Sequence, residues 1–76
     1  MKLSKGEYCQ FSLRGKEKLL QEFGIPVCRK TIGDRCISIF RLYDFYVERT
    51  DNTHTNRIEK IEPVGFFDMR KFMEEG

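Results

Sequence analysis

The chain has 76 residues, of which 39% are hydrophobic and 34% charged, and its formal net charge is +2. This length allows one domain, residues 1–76, and the composition is typical of a globular protein rather than of a disordered chain. No apolar run approaches the roughly 20 residues that span a bilayer, and the first residues lack the apolar core of a secretory signal. We therefore expect one small cytoplasmic domain without a membrane segment.

Positive charge is concentrated in the N-terminal half of the chain. Residues 1–41 contain nine basic and four acidic side chains, a net charge of +5, whereas residues 42–76 contain five basic and eight acidic ones, a net charge of −3. Such an asymmetry bears on association and not on fold. Three interpretations stay open: one end attracts an acidic partner, two copies dock head to tail, or the surface is simply solvated.

The first two predicted elements are a strand and a helix. Residues 7–13 alternate loosely between polar and apolar side chains, which predicts a short strand. Residues 15–23 are rich in lysine, glutamate and leucine, which predicts a helix. We expect Gly24 to end this helix in the left-handed conformation that glycine favours, with Ile25 in contact with Leu20 just beyond it.

Two β-rich runs, residues 27–32 and 35–42, flank the dipeptide Gly33-Asp34 and predict a hairpin with a two-residue type II′ turn. Side chains alternate along a strand, so the register that this turn sets decides which side chains share a face. We assign one face to the core and expect the other to be covered as well, because it is apolar at one end. The predicted core face carries Cys28, Ile32, Ile37 and Ile39, the second face ends in Phe40 and Leu42, and the predicted pairs are Ile32 with Arg35, Lys30 with Ile37 and Cys28 with Ile39.

Residues 45–50 and 57–61 predict a second hairpin, which a turn or bulge near Tyr43-Asp44 separates from the first. One register would place Glu48 opposite Glu59, which is unfavourable for like charges. We prefer the register shifted by one residue, because it gives favourable contacts across the strands. Its pairs are Arg49 with Glu59, Glu48 with Lys60 and Val47 with Ile61.

The C-terminal segment predicts a short helix. Pro63 is expected to end the last strand, and Asp68 to cap a helix over residues 69–75, with Phe67 in contact with Phe72. The apolar side of that helix, which we expect to be buried, carries Phe66, Met69, Phe72 and Met73. The complete pattern predicts an α+β fold: a small antiparallel β-sheet of three to five strands with two consecutive hairpins, packed with one α-helix and a short C-terminal helix.

The cysteines and the histidine form no recognisable motif. Cys9, Cys28 and Cys36 are odd in number and widely spaced, so we expect reduced thiols. With His54 they match the ligand count of a structural zinc site, but the chain has no Cys-x-x-Cys pair, so we expect no metal and no cofactor. Because His54 has no nucleophile beside it and a small sheet leaves no room for a deep pocket, we expect neither enzyme activity nor a small-molecule substrate.

Function is predicted only at the level of binding. A small sheet with two partly apolar faces either carries a helix on each face or uses one face to bind another protein. We expect a protein-interaction or homodimerisation module, because interfaces are enriched in aromatic and arginine side chains. The predicted interface residues are Phe40, Arg41, Leu42, Tyr43 and Tyr46. The alternative is weak nucleic-acid binding by the basic half, with phosphate contacts from Arg29, Lys30 and Arg35.

One part of the chain resembles a known group of sequences. The run Leu42-Tyr43-Asp44-Phe45-Tyr46-Val47-Glu48, followed by Asn56-Arg57-Ile58-Glu59-Lys60-Ile61, is similar to short uncharacterised proteins of Bacteroides-type bacteria. The likeness covers the second hairpin. It implies a bacterial cytosolic protein, and it implies no activity and no functional residue.

Overall fold

The computed structural model describes residues 3–74, and this part of the chain has an α+β fold. Among these residues, no helix combines the length and the hydropathy that crossing a membrane requires. In chain order the elements are α1 (Lys5–Cys9), α2 (Leu13–Phe23), β1 (Ile25–Ile32), β2 (Arg35–Leu42), β3 (Phe45–Asn52), β4 (Arg57–Val64) and α3 (Phe66–Glu74). The four strands form one antiparallel sheet in the order β1-β2-β3-β4, which confirms both predicted hairpins and joins them through a turn at Tyr43-Asp44.

The N-terminal segment is helical, so the predicted strand over residues 7–13 is wrong. Ser4 and Glu7 form a capping box: the Ser4 hydroxyl accepts a hydrogen bond from the Glu7 N–H (3.1 Å), and the Glu7 carboxylate accepts one from the Ser4 N–H (3.0 Å). Two donors at the helix start are thereby satisfied, and the backbone bond from Ser4 lowers the pKa of Glu7. Tyr8 is fully buried, and its hydroxyl donates to the Lys16 carbonyl (2.8 Å). Burial raises the pKa of this phenol.

The end of α2 at Phe23 is confirmed, but the predicted reason for Gly24 is wrong. Gly24 has φ −73° and ψ 141°, an extended conformation open to any residue. Glycine is needed there because a Cβ atom would lie 2.6 Å from the Leu20 carbonyl oxygen. Ile25, which we expected to contact Leu20, begins β1 and is 62% exposed.

The first hairpin has the predicted register, with Ile32 opposite Arg35 and Cys28 opposite Ile39. Gly33 has φ +58°. A positive φ at the first turn residue is the requirement of a type II′ turn, which matches the right-handed twist of the strands it joins. The turn chemistry therefore sets the pairing of β1 with β2.

The pairing of β3 with β4 differs from the predicted register by two residues. Glu48 lies opposite Glu62 and Arg49 opposite Ile61, so none of the three predicted pairs forms. A two-residue shift leaves each side chain on the same face, and burial therefore does not distinguish the two registers. The prediction was wrong because it relied on charge pairing, which contributes only about 0.2–1 kcal/mol per pair.

The loop between β3 and β4 determines this register instead. The Asn52 side-chain oxygen accepts hydrogen bonds from the backbone N–H groups of His54 (2.9 Å) and Thr55 (3.1 Å). The N–H and hydroxyl of Thr53 both donate to the Asp34 carbonyl (2.7 and 3.0 Å), which ties the loop to the first hairpin turn. These local bonds close a four-residue loop, and a bulge in the ladder absorbs the remaining offset.

Pro63 lies inside β4, so the prediction that it ends the strand is wrong. Strand β4 is at an edge of the sheet, where a residue without an N–H group is tolerated. The other edge strand, β1, holds Pro26 beside a bulge between Pro26 and Cys28. Each edge therefore carries a proline, which limits uncontrolled pairing with other strands.

The main core lies between the sheet and the two N-terminal helices. We call this side of the sheet the α2 face; its core residues are Tyr8, Leu20, Leu42, Phe45, Val47 and Ile61. The expected cover over Phe40 and Leu42 is thus confirmed. The face we had assigned to the core is the opposite one, here called the α3 face: Ile39 is buried there, Cys28 and Ile37 are half-buried, and Ile32 is exposed. The assignment was wrong in making it the main core.

Helix α3 lies against the α3 face through a few contacts. The Lys30 ammonium donates to the Phe72 carbonyl (3.0 Å) and lies 4.7 Å from the centre of its ring. Tyr46 packs against Phe66 with ring centres 6.4 Å apart. The helix begins three residues earlier than predicted, and Asp68 lies in its first turn rather than at its cap. The predicted end at Glu75 is outside the described residues.

Replacing Gly24 tests the close contact at the end of α2. We expect Gly24→Ala to lower the free energy of unfolding by about 1–3 kcal/mol, because the added methyl group meets backbone and forces the chain to move. Gly6→Ala is the matched control: nothing lies within 4 Å of its added Cβ, so in α1 it should be stabilising by about 0.5–1 kcal/mol. Urea unfolding followed by circular dichroism measures both. Equal stability of Gly24→Ala and the wild-type chain would contradict this account.

Candidate functional site

The five predicted interface residues do not share one surface. Leu42 is fully buried in the core, which corrects its assignment to a partner interface: the helices of the same chain enclose it. Phe40 and Tyr43 are half-buried and pack against that core. Arg41 and Tyr46 lie opposite each other on the α3 face. The alternation of strand side chains therefore divides the predicted set between two sides of the sheet.

Tyr43 has a structural role in the turn between β2 and β3. Its φ of +58° is rare for a bulky residue and costs on the order of 1–3 kcal/mol. Packing offsets this cost, because the ring stacks on Phe23 with centres 6.0 Å apart. The Tyr43 carbonyl also accepts a hydrogen bond from Arg41 Nε (3.2 Å). Within residues 3–74, the buried Tyr43 hydroxyl has no hydrogen-bond partner.

The three predicted nucleic-acid contacts also lie apart, and each has a partner within the chain. On the α2 face, Arg29 Nε donates to the Cys36 sulfur (2.8 Å). On the α3 face, Lys30 is held by Phe72, and Arg35 forms an ion pair with Glu59 (2.9 Å). A phosphate backbone following one surface would meet only part of this set. The geometry gives the nucleic-acid alternative no support.

The cysteines and His54 are similarly dispersed. Cys9 is exposed on α1, and register places Cys28 and Cys36 on opposite faces of the sheet. Within the described range, no three potential metal ligands gather at one place. Burial raises the pKa of the Cys28 thiol, and the nearby charge of Lys30 opposes this effect. A raised pKa keeps that sulfur protonated, which makes it a poor nucleophile.

Helix α3 itself carries three large apolar side chains that are at least half exposed. We name these three residues, Phe66, Phe67 and Met73, the α3 patch; they are 53%, 82% and 50% exposed. The expected burial of this helix face is correct for Met69, which is 5% exposed, and wrong for Phe66 and Met73. Phe67 does not staple the helix through Phe72 as expected: it is mostly exposed and lies edge-on to Phe66, with ring centres 5.9 Å apart.

Sequence reasoning missed the α3 patch, although one signal was present. Phe66 and Phe67 are adjacent, and neighbouring residues on a helix point about 100° apart. Because a helix on a sheet buries one side, two large adjacent side chains are rarely both fully covered. The pair alone therefore favours partial exposure of one aromatic ring.

Comparison with protein-family models, curated proteins and solved structures gives no match to this chain. The resemblance to short Bacteroides-type proteins stays a prediction. Assignment of a site therefore depends on the geometry of the chain itself.

The ion pair that holds Arg35 predicts a pH effect on stability. Hydrogen bonds from Asn52 (3.3 Å) and Arg35 lower the pKa of Glu59 below its usual 4.5. This contribution to folding is present above the pKa of the unfolded chain and is lost as the pH falls through the lower pKa of the folded chain. Glu59→Gln should therefore lose less stability than the wild-type chain between pH 7 and pH 3.

Urea unfolding midpoints of Glu59→Gln and of the wild-type chain, measured across that pH range, compare the two stabilities. Glu22→Gln, which removes an exposed carboxylate from α2, controls for the change in net charge. A Glu59→Gln profile parallel to that of the wild-type chain would show that this carboxylate contributes no pH-dependent stability.

Proposed function

We propose that this chain is a non-enzymatic protein-interaction module that binds through the α3 patch, and that its simplest partner is a second copy of itself. The exposure of Phe67, 82% on a nine-residue helix, is the observation that carries the proposal. Large aromatic side chains supply much of the binding energy at interfaces. Phe66 and Met73, two helical turns apart, lie on the same side of α3 and extend the patch along it.

The size of the chain also supports this proposal, because a single core in 76 residues is only marginally stabilising. A small domain also gains the stability that its own core is too small to supply when it associates.

Charge favours a second copy as the occupant. Around the patch, the acidic residues Asp68 and Glu74 balance the basic residues Arg70 and Lys71, and Arg70 pairs with Glu74 (3.2 Å). Two copies related by a two-fold axis present the same surface to each other, so a neutral patch avoids like-charge repulsion. The α2 face, which carries Arg29 and Arg49, lacks this neutrality.

We also propose that the protein is located in a reducing compartment such as the cytoplasm. Cys9, Cys28 and Cys36 are all unpaired thiols. Thiols in small proteins persist in reducing compartments, whereas secreted domains of this size usually use disulfides for stability. Three unpaired thiols are therefore compatible with a cytoplasmic binding module.

Removing the apolar groups of the patch tests the proposal. We expect the wild-type chain to be a dimer by light scattering during size-exclusion chromatography, also at high salt, because apolar contacts are not screened. Phe67→Ser and the double variant Phe67→Ser/Met73→Ser should raise the dissociation constant of the dimer at least tenfold, since truncating an anchor residue costs about 2 kcal/mol or more. Both residues are at least half exposed, so folding should change little.

Leu13→Ser is the matched control, because it removes a 44% exposed apolar side chain from α2 instead of α3. It should leave the dimer intact. A wild-type chain that stays monomeric at every concentration would overturn self-association, and equal weakening by Leu13→Ser would place the interface elsewhere.

A further inference from the structure

A polar cleft lies on the α2 face of the sheet, separate from the α3 patch. Its volume is about 420 Å³. Three strands contribute to its wall, and loop residues after β3 complete its rim. The residues that matter for its chemistry are Arg29, Cys36, Ser38, Phe40, Arg49 and Asp51.

Two arginines flank a serine across three strands. Register places Arg29 of β1 opposite Ser38 of β2, and Ser38 opposite Arg49 of β3. Neighbouring strands lie about 4.8 Å apart, so the two arginine backbones are separated by roughly 10 Å. Because the serine between them is small, the floor of the cleft stays low, and two long basic side chains stand on either side of it.

Cys36 and Asp51, which lie opposite each other on β2 and β3, hold both guanidinium groups in place. Arg29 Nε donates to the Cys36 sulfur (2.8 Å). Arg49 donates to Asp51 through Nε (3.0 and 3.2 Å) and Nη2 (3.1 Å). Within residues 3–74, these bonds leave both Nη atoms of Arg29 and Nη1 of Arg49 without a protein acceptor. The arginines are thus oriented, and donors remain.

The charge of the cleft is positive. Two guanidinium groups face one carboxylate, which leaves a net charge of +1. The ion pair of Arg49 with Asp51 is largely shielded, with side chains 23% and 27% exposed. The hydrogen bond to Cys36 raises the pKa of Arg29, which keeps this guanidinium group charged. A single anionic group would neutralise the cleft.

We infer that the cleft binds an oxyanion, the phosphate or carboxylate group of a small ligand, between Arg29 and Arg49 and above Ser38. Guanidinium groups match the planar, bidentate geometry of these anions, and a serine hydroxyl supplies a further donor. Phe40 gives the cleft an apolar wall against which the rest of the ligand packs. This site is independent of the α3 patch and of self-association.

Titration with inorganic phosphate tests the inference, with the full chain followed by two-dimensional amide NMR. Sodium chloride at the same ionic strength is the reference. Phosphate should cause saturable shifts centred on the amides of Arg29, Ser38 and Arg49. Arg29→Gln should raise the dissociation constant for phosphate about tenfold, because it removes charged hydrogen bonds. Arg41→Gln, an exposed strand arginine on the other face, should leave it unchanged.

Ser38→Val is a second variant that keeps both charges while removing the hydroxyl and filling the floor of the cleft. It should also weaken phosphate binding. A parallel titration with acetate separates the two ligand classes: tighter phosphate binding assigns a phosphate group, and equal or tighter acetate binding assigns a carboxylate. Shifts spread over all basic residues, or equal losses for Arg29→Gln and Arg41→Gln, would overturn the site.

Discussion

The contact of Tyr8 and Leu20 with the strand residues Leu42, Val47 and Ile61 holds the fold together. A four-stranded sheet of this size has no second sheet to pack on, so one of its faces needs helices to exclude water. The Tyr8 hydroxyl joins α1 to α2 through the Lys16 carbonyl. The Lys16 ammonium in turn donates to the Ile61 carbonyl (3.3 Å), which connects α2 to β4. Most of the apolar burial is therefore on the α2 face.

This distribution explains why the chain presents apolar groups on its opposite side. After the α2 face has taken most of the large side chains, the α3 face buries Ile39 and Met69 and little else of comparable size. Helix α3 is held by Lys30 at one end and by Tyr46 at the other. A helix attached in this way covers the sheet with one side and leaves Phe67 mostly exposed. Its exposed side is thus a consequence of where the core lies.

Much of the sheet could be predicted from the sequence because turn chemistry is local. Gly33 specified the first hairpin and its register, and the turn expected near Tyr43-Asp44 is confirmed. The register of β3 with β4 could not be predicted from charge pairs, since the hydrogen bonds that the Asn52 side chain accepts from its loop outweigh them. At the N-terminus the loose alternation over residues 7–13 indicates a strand, whereas the capping box of Ser4 and Glu7 starts a helix there.

The candidate sites were harder to predict because they depend on which face each helix covers. Alternation placed Phe40 and Leu42 on one face, but it did not show that α1 and α2 would enclose Leu42. The cleft needed a different kind of information: Arg29, Ser38 and Arg49 are far apart in sequence and meet only through two successive registers. A correct first register was not sufficient, because the pairing of β2 with β3 depends on the turn at Tyr43.

The two surfaces differ in a way that the sheet itself imposes. Adjacent residues of β1 point to opposite faces, so Arg29 lines the cleft while Lys30 holds α3. The cleft is cationic and polar, which suits a hydrated anion, whereas the α3 patch is apolar and neutral, which suits a second protein surface. Because they lie on opposite sides of the sheet, a dimer formed through α3 leaves the cleft open to solvent. Occupation of one surface therefore places no steric limit on the other, and a chain of this size has room for both.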